Sequence, residues 1–164
     1  MSSNAREKFL SAMSNVANSV TVVTTDGPGG KHGATVSSFC SVSADPPTVL
    51  VCLNRSGPTH DAIAANGVYC VNVLPEGMKE IARVFAGQTG KDGAERFTGA
   101  DWQQAAGNAP ALFGVTALHC KVDEAVEATS HTIFIGTVTG IQDGDEPPLI
   151  YLNRKYCKTS NLPD

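Results

Sequence analysis

Histidine and cysteine are too few and too scattered in this 164-residue chain to make a metal centre. His32, His60, His119 and His131 share no ligand spacing, and Cys40, Cys52, Cys70, Cys120 and Cys157 include no C-x-x-C pair. An odd set of thiols, three of them within apolar strand-like runs, reads as reduced cysteine acting as small buried hydrophobes. Lys and Arg form no block and the net charge is −4, which removes nucleic acid as a main partner. No apolar stretch approaches the roughly 18 residues that span a bilayer, and the N-terminus lacks a signal core, so no membrane association and a cytoplasmic location are expected. A G-x-S-x-G elbow is also missing, which leaves acyl transfer without support. Gly27 to Gly33 fails both phosphate-loop templates. A dinucleotide fingerprint starting at Gly27 needs glycine where His32 stands, and Lys31 is followed by His32 where a P-loop needs Ser or Thr. It reads as a hairpin turn, and any nucleotide must be held by other means.

What is present is rich in β-branched residues. Hydrophobic residues make up 41%, charged residues 17%, and 16 glycines punctuate the chain. That composition describes one globular domain over residues 1–164, long enough to bury about two thirds of its unfolded surface. Phe9, Leu10, Met13, Val16 and Ala17 share a face and predict an amphipathic helix over 5–17. Val20 to Thr25 predicts a strand. Thr59 to Asn66 predicts a short helix begun by the Thr59 hydroxyl and closed by Asn66-Gly67. Val68 to Leu74 is a further core strand, and Glu76 to Ala86 a second amphipathic helix with Met78, Ile81, Ala82 and Phe85 on one side. Between Gly87 and Ala109 the pattern loosens around Trp102 and reads as a mobile flap. Val115 to Glu127, His131 to Asp143 and Leu149 to Asn153 complete an antiparallel sheet. Six or so strands, three short helices and no internal repeat predict a mainly β, antiparallel, single-domain barrel.

The stretch from Gly33 to Asn54, GATVSSFCSVSADPPTVLVCLN, organises the rest. It reads as one strand, a turn at Pro46-Pro47, and a second strand apolar enough to lie inside. Thr35, Ser37 and Ser38 bring hydroxyls and open N–H groups beside the apolar Val36, Phe39 and Val49 to Leu53, which suits a flat ligand with polar edges. Ser56 and Thr59 stand where a helix follows a buried strand; free N–H groups there bind anions, although plain capping explains the same residues. His131 opens a strand after Thr129-Ser130, a place where a lone histidine is more often a packing or surface residue than a functional one.

Taken in order, Val22 to Gly27, Gly33 to Ser43 and Pro46 to Asn54 resemble the short flavin reductase family. Cys70 to Leu74, Phe85-Ala86-Gly87, Glu95-Arg96-Phe97, Trp102, His131-Thr132, Gly136, Leu149 to Tyr151 and Arg154 to Tyr156 extend the resemblance over nearly the whole chain. It implies an FMN-binding split β-barrel, a homodimer, and transfer of a hydride from NADH or NADPH to FMN or FAD, with reduced flavin passed to a partner monooxygenase. A related branch reduces corrin-bound cobalt, and a non-catalytic flavin carrier would share the same barrel. By the resemblance, Thr35, Val36, Ser37 and Ser38 line the flavin ring edge, and Cys52, Leu53 and Asn54 border ring and ribityl chain. Ser56 and Thr59 meet the phosphate; Phe85, Ala86 and Gly87 close the other side. His131, as the catalytic-site histidine, holds the nicotinamide nucleotide with Tyr151 and Arg154. Where the family usually carries glycine and then Asp or Thr before this histidine, this chain has Thr129 and Ser130.

Overall fold

The computed structural model describes residues 3–162, which form three α-helices and twelve strands. The elements are α1 (Ser3–Ser14), β1 (Asn18–Ser19), β2 (Thr21–Thr25), β3 (His32–Val36), β4 (Cys40–Ala44), β5 (Pro47–Asn54), α2 (Pro58–Asn66), β6 (Val68–Val73) and α3 (Lys79–Phe85). They continue with β7 (Trp102–Gln103), β8 (Ala111–Leu112), β9 (Ala117–Ala128), β10 (His131–Gln142), β11 (Ile150–Leu152) and β12 (Lys155–Cys157). Seven strands pair in the order β3-β2-β6-β9-β10-β5-β4, antiparallel throughout.

That order closes the barrel. β3 and β4 occupy opposite edges of the sheet, yet only Ser37, Ser38 and Phe39 join them. The four steps from Val36 to Cys40 reach about 14 Å at most, so the sheet has to curl until its edges meet. The chain therefore turns where the sequence suggests one continuous strand from Gly33, because each half pairs with a different neighbour: β3 with β2, and β4 with β5. Backbone pairing is replaced at the seam by a side chain. Ser38 Oγ donates to Cys52 O at 2.9 Å and accepts from Cys52 N at 3.1 Å.

β2 is buried on both faces, which its β-branched run foreshadows. Val22 joins one core cluster with Cys70, Leu74 and Phe85; Val23 joins a second with Val51, Leu53, Tyr69, Val71 and Phe134. At Gly136 the Tyr69 ring and Lys121 O approach so closely that a Cβ would lie 2.9 Å or less from both, a crowding only glycine admits.

Several expectations change. β5 buries only the Val49, Val51 and Leu53 face, and all five residues of β4 are exposed, since β4 is an edge with no outer neighbour. The predicted second helix splits into a 3-10 turn, Glu76–Met78, followed by α3. The opening helix ends at Ser14, and Phe9, Leu10, Met13 and Val16 remain exposed instead of packing on the core. The loose segment after Gly87 is not an open loop. It contains a 3-10 turn, Gly93–Phe97, and the β7-β8 hairpin, and its Phe97 and Trp102 rings lie 5.0 and 5.3 Å from Phe85.

Candidate functional site

The barrel seam opens into a cavity of about 500 Å³ walled by β3, the Ser37–Ser38 link, β5, the start of α2 and the end of α3. Apolar walls come from Ala34, Val36, Leu53, Pro58, Phe85 and Ala86, and no Asp or Glu is among the lining residues. Phe85 is held in place from behind by Phe97 and Trp102, and from the side by Gly33. A Cβ on Gly33 would lie 2.6 Å from the Phe85 ring.

Of the polar groups the sequence suggests for this cavity, two hydroxyls are taken up by the protein itself. The Thr35 hydroxyl donates to Ala82 O at 2.7 Å and the Ser38 hydroxyl is occupied by Cys52, so both brace the protein. The donors left over are main-chain N–H groups and the hydroxyls of Ser37 and Thr59, which have no partner among the described residues. Among the described residues none accepts from the N–H of Ser37 or Ser38, because the chain has left one ladder there and not yet joined the other. Burial pushes the Cys52 thiol up from its ordinary value, with the Ser38 hydrogen bond opposing, so the thiol stays neutral against the cavity.

Helix α2 begins without a side-chain cap. Gly57 occupies the N-cap position and Pro58 follows, which moves Thr59 two positions inward from the capping role. Thr59 is 4% exposed, lines the cavity, and its N–H has no acceptor among the described residues. Uncapped N–H groups at a helix start favour an anion, as does the nearby cation Arg96 on the same cavity wall. Arg96 is fixed by donating to Gly33 O and Lys91 O and by pairing with Asp92. Ser56 lies outside the lining; its hydroxyl and N–H both turn to Asn54 Oδ1 at 2.9 Å.

On the open side His131 lines the cavity and is exposed, with Nδ1 2.9 Å from the Ser130 hydroxyl. Thr129, where glycine is usual, holds a left-handed φ of 53°, a conformation that disfavours a β-branched side chain. Tyr151 and Arg154 do not reach the main cavity; they line smaller hollows that adjoin it through Ser37. Gly87, with φ 73°, ends α3 outside all of these linings.

Two of the polar side chains in the lining, His60 and Arg96, are not among those the sequence points to. His60 Nδ1 lies 2.8 Å from Asp61 Oδ1 and Nε2 2.9 Å from the Thr132 hydroxyl, bringing α2 against β10. Arg96 had a signal, since it sits in the Glu95-Arg96-Phe97 run shared with the family, but its place in the cavity depends on the fold of the segment after Gly87. A flat ligand with a polar edge and a phosphate arm fits these residues: open N–H donors between apolar walls, an uncapped helix start, a cation, and no carboxylate to repel it.

The family described as "flavin reductase like domain" matches residues 13–160. The chain belongs to that flavin reductase family. A relative named FMN reductase (NADH) RutF, from Ancylobacter novellus, is 41% identical over 162 residues, covering 98% of this chain and 88% of the relative. Among solved structures, flavin reductase PheA2 superposes with a TM-score of 0.85 at 32% identity, covering 94% of this flavin reductase and 98% of PheA2. BorF, the flavin reductase component of a bacterial two-component tryptophan halogenase, does so with a TM-score of 0.86 at 28% identity, over 96% and 99% of the two chains. The family's mainly β, antiparallel split barrel is therefore the fold of this chain.

Proposed function

We propose that this flavin reductase oxidises NADH and reduces FMN, the flavin lying in the Ser37–Thr59 cavity with one face open toward His131. The observation that carries the reading is the set of unpartnered donors, the N–H groups of Ser37, Ser38 and Thr59, facing a cavity without a carboxylate. Bound flavin supplies the acceptor for a hydride from the reduced nicotinamide ring, so the protein needs no nucleophile or acid–base pair.

The residues of the chain position and polarise. The Ser37 and Ser38 N–H groups hydrogen-bond the polar edge of the flavin ring and favour the electron-rich state there. Val36, Leu53 and Phe85 hold the ring flat and exclude water from one face. Thr59, the α2 start and Arg96 take the phosphate. Cys52 and Asn54 border the ribityl chain, and Ala86 and Gly87 close the far end. His131, steadied by Ser130, orients the nucleotide over the open face with Tyr151, which brings the two reacting rings into contact and accounts for much of the rate.

The family resemblance to the BorF component supports transfer of reduced flavin to a separate oxygenase. A homodimer is supported by the wholly exposed β4 edge. Steady-state assay of the purified protein tests the reading. NADH oxidation that appears only when FMN is added supports it. Flavin binding without NADH consumption marks a carrier instead.

A further inference from the structure

Ser37 stands where three hollows meet: the main cavity and two smaller ones of about 200 and 240 Å³. Tyr151 lines both smaller ones, so they form one trough running from the main cavity at Ser37. The far hollow lies between the end of α1 and the β11-β12 hairpin, with Leu10, Met13, Val16 and Asn18 on one side and Tyr151 and Arg154 on the other. The hairpin's two-residue turn is Asn153-Arg154, with φ of 51° and 62°. Such a turn favours Asn-Gly, so Arg154 holds a left-handed backbone where glycine would be unstrained. Its side chain is not used to stabilise the fold. Among the described residues it makes neither an ion pair nor a hydrogen bond. No Asp or Glu lines the hollow.

An unpaired guanidinium in a trough without carboxylates suits a phosphate. Dinucleotide sites that select an unphosphorylated ribose commonly place a carboxylate on its 2′-hydroxyl, whereas a nearby arginine accommodates a 2′-phosphate. We infer that Arg154 binds the 2′-phosphate of NADPH, so that this enzyme accepts NADPH alongside NADH. The inference rests on the flavin reductase reading above and adds the residue that determines donor choice.

The test compares kcat/KM for NADH and NADPH, with FMN and then FAD as acceptor, in the wild type, Arg154→Gln and Arg154→Gly. Arg154→Gly also removes the backbone strain, so it separates the side chain's binding role from a structural one. The wild type is expected to turn over both donors. Both variants are expected to lose about tenfold or more with NADPH, the worth of a charge-assisted contact, and to stay within about threefold with NADH. The melting temperature of Arg154→Gly is expected to hold or rise. Equal loss with both donors, no loss with either, or a wild type inactive with NADPH overturns the inference. Loss confined to FAD with both donors assigns Arg154 to the adenosine half of the flavin and also overturns it. A protein that oxidises neither donor with any flavin instead removes the flavin reductase reading itself.

Discussion

The two sides of the candidate site are built differently. On the flavin side, side-chain polar groups serve the protein: Ser38 bridges to Cys52, Thr35 to Ala82, and Arg96 to Gly33 and Lys91. What is left for a ligand is the main-chain N–H groups of Ser37, Ser38 and Thr59 together with the unengaged Ser37 and Thr59 hydroxyls. The proposed nucleotide side has an exposed histidine, a threonine in left-handed backbone, and Arg154, which is likewise left-handed and has no partner among the described residues. A buried frame that fixes main-chain N–H groups suits a ligand held in one pose. An open rim of exposed side chains suits one that arrives and leaves each turnover.

Mutations that break the flavin frame should show the largest effects. Phe85→Ala removes a buried ring that anchors both the cavity wall and the Phe97–Trp102 cluster, and is expected to cost about 3–5 kcal/mol of stability by denaturant titration, with flavin binding lost. Next, Gly33→Ala drives a methyl group into that ring. A cost of about 1–3 kcal/mol and weaker FMN binding in fluorescence titration are expected. Ser38→Ala strands the Cys52 N–H and C=O and is expected to cost about 1–3 kcal/mol, felt first as loosening of the barrel seam in hydrogen exchange.

The nucleotide side should tolerate change far better. His131→Ala is expected to raise KM for NADH about fivefold or more while FMN affinity stays within about twofold; equal losses in the two titrations would erase the distinction between the sides. Thr129→Gly relieves a left-handed threonine and is expected to add about 1 kcal/mol of stability with little change in turnover. Thiol chemistry sharpens the same contrast. Burial raises Cys52, so its reactive thiolate forms only at higher pH than for an ordinary thiol. Alkylation should reach exposed Cys40 first, and Cys52 labelling should rise with pH and fall when FMN is bound.

Much of the fold was legible because its signals are local. The β-branched Val20–Thr25 run, the Gly27–Gly30 turn and the two long strands after Val115 declare themselves by pattern, and Asn66-Gly67 closes α2 as expected. What stayed hidden depends on partners distant in sequence. Nothing between Gly33 and Ala44 says that the chain changes sheet edge at Ser37, because that is decided by which strands β2 and β5 leave unpaired. For the same reason residue types pointed to hydroxyls and N–H groups alike as ligand groups, whereas the fold engages the hydroxyls of Thr35 and Ser38 and leaves the N–H groups of Ser37 and Ser38 without a partner among the described residues. Arg96 and His60 enter the cavity only once the segment after Gly87 and α2 have packed.

A crystal structure of the protein with FMN puts the central claim to its most direct test. The flavin ring edge is expected within hydrogen-bond distance of the Ser37 and Ser38 N–H groups, with the phosphate at Thr59 and Arg96 and the opposite ring face open toward His131. Flavin bound elsewhere, or lying in the cavity with those two N–H groups turned away from it, would contradict the claim.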